Sequence, residues 1–215
     1  EWITKHDGHR INYHPPRAIY GKRLLRWIRD FWCACPFWAP VDYQYGHNAD
    51  VKIAYATTAV YTWGLASLAT SSTRTAGRES TAISNASNKY LDYLVGFKFT
   101  TGTGPTASTQ FDAWAYFSLN DTPDYPDVLD GTDSAETITS ENVRNSALAP
   151  LRSILVDSTS DRTYFSSVLS LAALHPSIGP MTHHGLFASH NTVAALNATA
   201  GNHAGWATPI YGTVV

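Results

Sequence analysis

Carboxylates stand at every third position of one stretch: Asp121, Asp124, Asp127, Asp130, Asp133 and Glu136. Hard oxygen ligands gathered on a loop are what Ca²⁺ takes, so the five aspartates are calcium-ligand candidates. The spacing is not that of an EF-hand, whose ligands fall at every second residue, and Pro123 and Pro126 break any helical presentation of the acids. The same stretch also reads as a solvated acidic loop, or as one that meets a basic partner surface. Histidines form two groups, His6, His9 and His14 near the start and His183, His184, His190 and His203 toward the end. None forms an H-E-x-x-H pair, and none combines with Cys33 and Cys35 at structural-zinc spacing. They read as loop histidines or as partners in a subunit contact.

Hydrolysis needs paired carboxylates, or a nucleophile with a base. Glu79, Glu136 and Glu141 are available, but nothing in the sequence ties them to a pocket. There is no G-x-S-x-G elbow, and Gly102-Thr103-Gly104 lacks the further Gly and Lys of a phosphate loop. Asn85, Asn120 and Asn197 begin N-x-[ST] sequons, which matter only in a secreted eukaryotic protein. No catalytic residue and no cofactor is assigned. The expectation is a structural or interaction protein rather than an enzyme.

The elements that must carry these residues follow from composition and pattern. The 215 residues are 44% apolar, enough for a real core, and 13% aromatic, which argues against disorder. Only 15% are charged, well below the usual quarter, so the surface is polar but weakly charged. A net charge of −2 excludes a chain built as a whole to hold a phosphate backbone, so no nucleic-acid partner is expected. No apolar run approaches the ~20 residues that span a bilayer, so no membrane partner is expected, and no signal-peptide pattern occurs. Cys33 and Cys35 are separated by one residue, a poor spacing for an unstrained disulfide.

Residues 1–50 differ from the rest. Seven lysines and arginines face five carboxylates there, and four of the seven tryptophans fall in this stretch. Pro15, Pro16, Pro36 and Pro40 limit regular structure to short pieces. Lys22 to Trp32 reads as a short helix, with Leu24, Leu25, Trp27, Ile28, Phe31 and Trp32 on one face and Arg23, Arg26 and Arg29 largely opposite. Such a helix packs on its own domain, docks on a neighbouring subunit or lies on a membrane surface. Aromatic and arginine side chains concentrate at binding hot spots, and this segment carries many large apolar residues. Trp27, Ile28, Phe31, Trp32 and Trp38 are therefore candidate partner-binding anchors of an irregular N-terminal arm.

From Val51 to Val215 the pattern is that of strands. Val51–Trp63 is rich in β-branched and aromatic residues, and Lys89–Thr100 alternates around Leu91, Tyr93, Val95 and Phe97. Phe111–Leu119 puts Phe111, Ala113, Ala115 and Phe117 on one side, with Trp114 and Tyr116 on the other. Further runs are Leu151–Val156, Tyr164–Leu174, Leu186–Ser189 and Trp206–Val215. Turn-rich clusters at 71–88, 101–109, 120–140 and 197–205 separate them. Several strands spaced in this way predict a mostly β domain, an antiparallel sandwich of jelly-roll-like character or a barrel. Glu141–Ala149 reads as a short helix capped by Ser140 and ended by Pro150, and Ser167–Leu174 is an alternative helix.

Two stretches, AGRESTAISNASNKYLDYLVGFKFTTGTGPTAST (76–109) and LNDTPDYPDVLDGTDSAETITS (119–140), carry a resemblance. With SDRTYFSSVLSLAAL, HHGLFASHNT and ATPIYGTVV, they resemble a group of small tailed-bacteriophage virion structural proteins. The resemblance covers about Val51 to Val215 and not the arm. It implies a β-sandwich in the phage particle and carries over no catalytic residue. It does not say which part of the particle; the function expected first is a capsid decoration or cement protein in the virion. Its arm would clamp the major capsid protein, as a trimer or other homo-oligomer. The alternatives are a tail, neck or baseplate protein, or a host-receptor or glycan-binding module with Trp114, Tyr125 and Trp206 as stacking platforms.

Overall fold

The structure, a computed structural model, describes residues 2–4, 10–12, 51–118, 120–174 and 181–214. The chain divides into two compact units, Glu1–Asn48 and Ala49–Val215. In the first unit, β1 (Trp2–Thr4) and β2 (Arg10–Asn12) form a two-stranded antiparallel sheet. The helix expected at 22–32, the five candidate anchors, both cysteines and His6, His9 and His14 lie outside the described residues.

The second unit is the expected antiparallel β-sandwich. Sheet I contains β5 (Ala76–Glu79), β6 (Ile83–Ser84), β8 (Gln110–Ser118), β9 (Ala135–Thr137), β10 (Ala149–Leu155) and β13 (His183–His190). Sheet II contains β3 (Val51–Tyr55), β4 (Ala59–Tyr61), β7 (Asp92–Thr100), β11 (Thr163–Phe165), β12 (Leu169–Ser170) and β14 (Ala204–Val214). Sheet I runs β10-β8-β13-β5-β9 with β6 also on β13. Sheet II runs β11-β7-β14-β3 with β12 also on β7 and β4 also on β14.

The pairing is nested. β3 and β4 pair with β14, β5 and β6 with β13, β7 with β11 and β12, and β8 with β10. The unit is thus one long antiparallel ribbon, turned back between β8 and β10 and wrapped so that its successive quarters alternate between the sheets.

Alternation along the strands sets the layers. On β7, Tyr93, Val95, Phe97 and Phe99 point inward and are buried. On β8, Phe111, Ala113 and Ala115 meet them, and Phe99 stacks on Phe111 with centroids 4.0 Å apart. Trp114 and Tyr116, on the opposite side of β8, enter a second core with Phe187, Leu129, Ile138 and Leu148. β8 is therefore buried on both faces, as its double set of aromatics requires.

Sequence and structure part in several places. β5, β6 and β9 lie in stretches read as turns, because AGRE, IS and AET carry few β-forming side chains. Tertiary pairing with β13 makes β5 and β6 strands, and β9 joins through β5. The helix α1 is Glu141–Ala147, and Ser140 caps it, its Oγ accepting from the Val143 amide at 3.2 Å. It ends before Pro150, because Ala149 and Pro150 already belong to β10 opposite Ala115 and Trp114. The run Tyr164–Leu174 is two short strands followed by α2 (Leu171–Leu174), so the alternative helix is only four residues long. Ser140→Ala is expected to lower the unfolding free energy by about 1 kcal/mol, read from urea midpoints at constant slope.

Pro209 sits inside β14, where a missing N–H would normally be costly. It falls at the gap between β3, which pairs with 210–214, and β4, which pairs with 205–207. Its carbonyl takes the Ala56 amide at 3.0 Å, and the Thr58 and Thr208 hydroxyls bridge the same gap at 2.8 Å.

Candidate interaction surface

The two sheets differ in what covers their outer faces. Residues 120–148 close sheet I: Tyr125, Leu129, Ile138, Val143 and Leu148 pack on Trp114, Tyr116 and Phe187. Arg144, 4% exposed, seals one side. Its guanidinium lies 4.9 Å from the Trp114 ring centroid, and Nη1 donates to the Thr73 and Arg74 carbonyls, each at 2.8 Å.

Sheet II has an apolar outer face exposed to solvent. Val51, Ile53 and Tyr55 of β3 are between 63% and 71% exposed. Opposite them in register stand Val214, Gly212 and Ile210. A β-carbon on Gly212 would meet Val51 and Leu91, so these side chains form one cluster. Further along β14, half-buried Trp206 lies between Val60 of β4 and Gly96 of β7. Phe165 of β11, 67% exposed and opposite Lys98, extends the face to the far edge. The patch crosses four strands, about 15 Å at ~4.8 Å per strand spacing. Charges on it are engaged within the chain. Lys98 Nζ donates to the Gly201 carbonyl at 3.0 Å, and Asp92 accepts from Ser170 Oγ at 2.6 Å and from the Ala172 amide at 2.8 Å.

Tyr211–Val214 also extend past the last β7 pairing, Asp92↔Ile210, and pair with β3 alone. A two-stranded ribbon with a bare apolar face is marginal in water, and exposed apolar patches of this breadth mark contact surfaces. The composition hinted at this through its few charges. What the sequence hides is which face of each strand stays uncovered.

The residues singled out for chemistry are dispersed. Asp127 accepts from the Thr139 amide and hydroxyl, each at 2.7 Å, and these hydrogen bonds hold it below the usual carboxylate range. Asp133 binds Arg78 Nε at 2.7 Å and the Gly64 amide at 2.9 Å. Asp130 turns to Thr132 and Glu79, while Asp121 and Asp124 are exposed. Among the described residues, no three Asp, Glu, His or Cys side chains gather as a metal site.

The later histidines are not loop residues throughout, because His184 and His190 are buried in β13. His184 Nδ1 shares a hydrogen bond with the Tyr61 hydroxyl at 2.8 Å, and burial pushes the ring down to about 3. His190 bonds Thr192 and the Leu68 carbonyl, each at 2.9 Å, and burial lowers it too. Asn85 is 2% exposed and donates to the Tyr90 and Met181 carbonyls, which removes it as a glycan acceptor. Of the proposed sugar platforms, Trp114 is core and Tyr125 packs edge-on against Tyr116, so Trp206 alone borders the exposed face. Sequence reasoning found no role for Glu79, which the structure buries completely.

No helix among the described residues is long and apolar enough to cross a membrane. Comparison of the chain with protein-family models, with curated proteins and with solved structures finds no match.

Proposed function

We propose that this chain is a virion structural protein, a head decoration or cement protein of a tailed bacteriophage that docks on the major capsid protein. One observation carries the reading: residues 120–148 cover sheet I, whereas among the described residues nothing covers the apolar outer face of sheet II. A lone protein in water gains nothing from such a face, whereas a neighbour that covers it gains its burial. The nested pairing supports the same reading, because a ribbon folded back and wrapped between two sheets is compatible with a jelly roll, an architecture used by viral capsid and lectin domains. The sequence resemblance of 51–215 points the same way. In this proposal sheet II lies against the shell. The arm residues Trp27, Ile28, Phe31, Trp32 and Trp38 add a second contact, and the chain acts without catalysis or cofactor.

The test is the copy number of the chain per purified virion, measured by quantitative mass spectrometry against the major capsid protein. A ratio near one, or near a simple fraction, supports the shell role. A small minority of copies moves the chain to the tail, neck or baseplate. Absence from virions overturns the proposal.

A further inference from the structure

Beneath the segment that covers sheet I lies a carboxyl that pairs with no cation among the described residues. Glu79 ends β5 directly opposite Phe187 of β13 and is 0% exposed. Phe187 belongs to the second core, so the Glu79 side chain stands on the covered outer face of sheet I. Its Oε1 accepts from the Asp130 amide at 3.2 Å, the Thr132 amide at 3.3 Å and the Ser134 hydroxyl at 3.2 Å. Its Oε2 is buried with no partner.

The groups that face it are acidic or neutral. The Asp130 carboxylate adjoins it: the Thr132 amide is shared between Glu79 Oε1, at 3.3 Å, and Asp130 Oδ1, at 2.8 Å. Glu136 of β9 connects through Ser134, whose hydroxyl lies 2.9 Å from Glu136 Oε1. Tyr116 of β8 donates to the Ser80 carbonyl at 2.7 Å, and Tyr125 packs on it from the covering segment. β13 presents Phe187. Arg78, its neighbour on the same strand, is committed to Asp133 through Nε at 2.7 Å and to the Asp133 carbonyl through Nη2 at 2.9 Å.

An ionised carboxylate buried here would lack a counter-charge and adjoin a second carboxylate. An un-ionised Glu79 removes both costs and supplies an O–H for Asp130. Asp130 is already held as an acceptor by Thr132, through its amide at 2.8 Å and its hydroxyl at 2.6 Å.

We propose that Glu79 and Asp130 hold one proton between them, that this proton clasps residues 120–134 onto sheet I, and that its loss loosens the segment. Burial, followed by Asp130, pushes Glu79 up from its ordinary 4.5 to about 7. Hydrogen bonds from Thr132 and from Glu79 hold Asp130 below the usual carboxylate range.

The sign follows from proton linkage. The clasped state keeps a proton that the open state has released between pH 4.5 and about 7. Clasp stability is therefore fully present below 4.5, falls as pH rises to about 7, and is level above that. Asp130 works in the opposite sense, below its ordinary value. His184 also opposes. Its folded value near 3 lies below the ordinary 6.5, so global stability falls as pH drops through that interval. Between 4.5 and 6.5 the two slopes offset each other in a global melt, so a local probe is required.

Hydrogen exchange on the whole chain supplies that probe, as protection factors of the Asp130, Thr132 and Ala82 amides. Ala82 N–H donates to the Gly131 carbonyl and reports the same segment. Protection is expected to fall at least about tenfold from pH 5 to 7.5, with the β8–β13 amides changing much less. Glu79→Gln keeps an oxygen for the three donors and an N–H for Asp130, and should hold protection level with pH. Asp130→Asn should move the fall to lower pH, and the ¹³C signal of the native Glu79 carboxyl should titrate near 7. Protection independent of pH in the native chain, the same fall in Glu79→Gln, or a Glu79 midpoint near 4.5 would overturn the proposal.

Discussion

Gly77→Ala is expected to destabilise the sandwich by at least about 3 kcal/mol, a large effect for one methyl group. A β-carbon at Gly77 would lie 2.1 Å from the Ala188 carbonyl oxygen and 2.6 Å from Phe187 Cζ. The oxygen is backbone in β13, the central strand of sheet I, so no rotamer change relieves the collision. β5 must lift, breaking its Glu79↔Phe187 and Arg78↔Ala188 pairs and drawing away β9, which pairs with Ala76–Arg78. Gly201→Ala is the matched control: nothing lies within 4 Å of its β-carbon, and its effect should stay within about 0.5 kcal/mol. Urea unfolding of the two variants at constant slope measures both. Equal midpoints would mean that β5 does not pack on β13 at this distance.

The second large effect concerns association rather than folding. Ile53→Ser with Tyr55→Ser removes two side chains that are 71% and 63% exposed, so the fold loses little. If sheet II is the docking face, the pair sits where hot-spot residues contribute about 2 kcal/mol or more each. Incorporation into particles should fall at least tenfold while the melting temperature stays within about 2 °C of the native value. Full incorporation of a folded double variant would remove β3 from the interface.

How much of this was legible in the sequence depended on what each strand touches. β7 and β8 announce themselves because both bury aromatic and β-branched side chains at a period of two. The two-sided pattern of β8 already separates the main core (Phe111, Ala113, Ala115) from the second one (Trp114, Tyr116). β5 and β9 do not, because their strand character comes from pairing partners distant in sequence rather than from their own side chains. β13 was readable only from Leu186 to Ser189. Its flanking histidines suggest a loop until Tyr61, Tyr93 and Leu68 are seen to enclose them. The acidic stretch shows the same limit. Its regular spacing suggested shared ligation, whereas the fold sends Asp127, Asp130 and Asp133 to three different partners. Glu79 could not be singled out because its burial depends on residues 120–134 closing over β5, a contact with no local signature.

Hydroxyl-radical footprinting of Tyr55, Phe165 and Trp206 reads out whether a neighbouring protein covers the outer face of sheet II. The free chain is compared with the chain in assembled particles, with Leu155 of sheet I, 65% exposed, as a reference off that face. All three aromatics are expected to become strongly protected in the particle while Leu155 changes less. Equal reactivity of Tyr55, Phe165 and Trp206 in the two states would contradict that coverage.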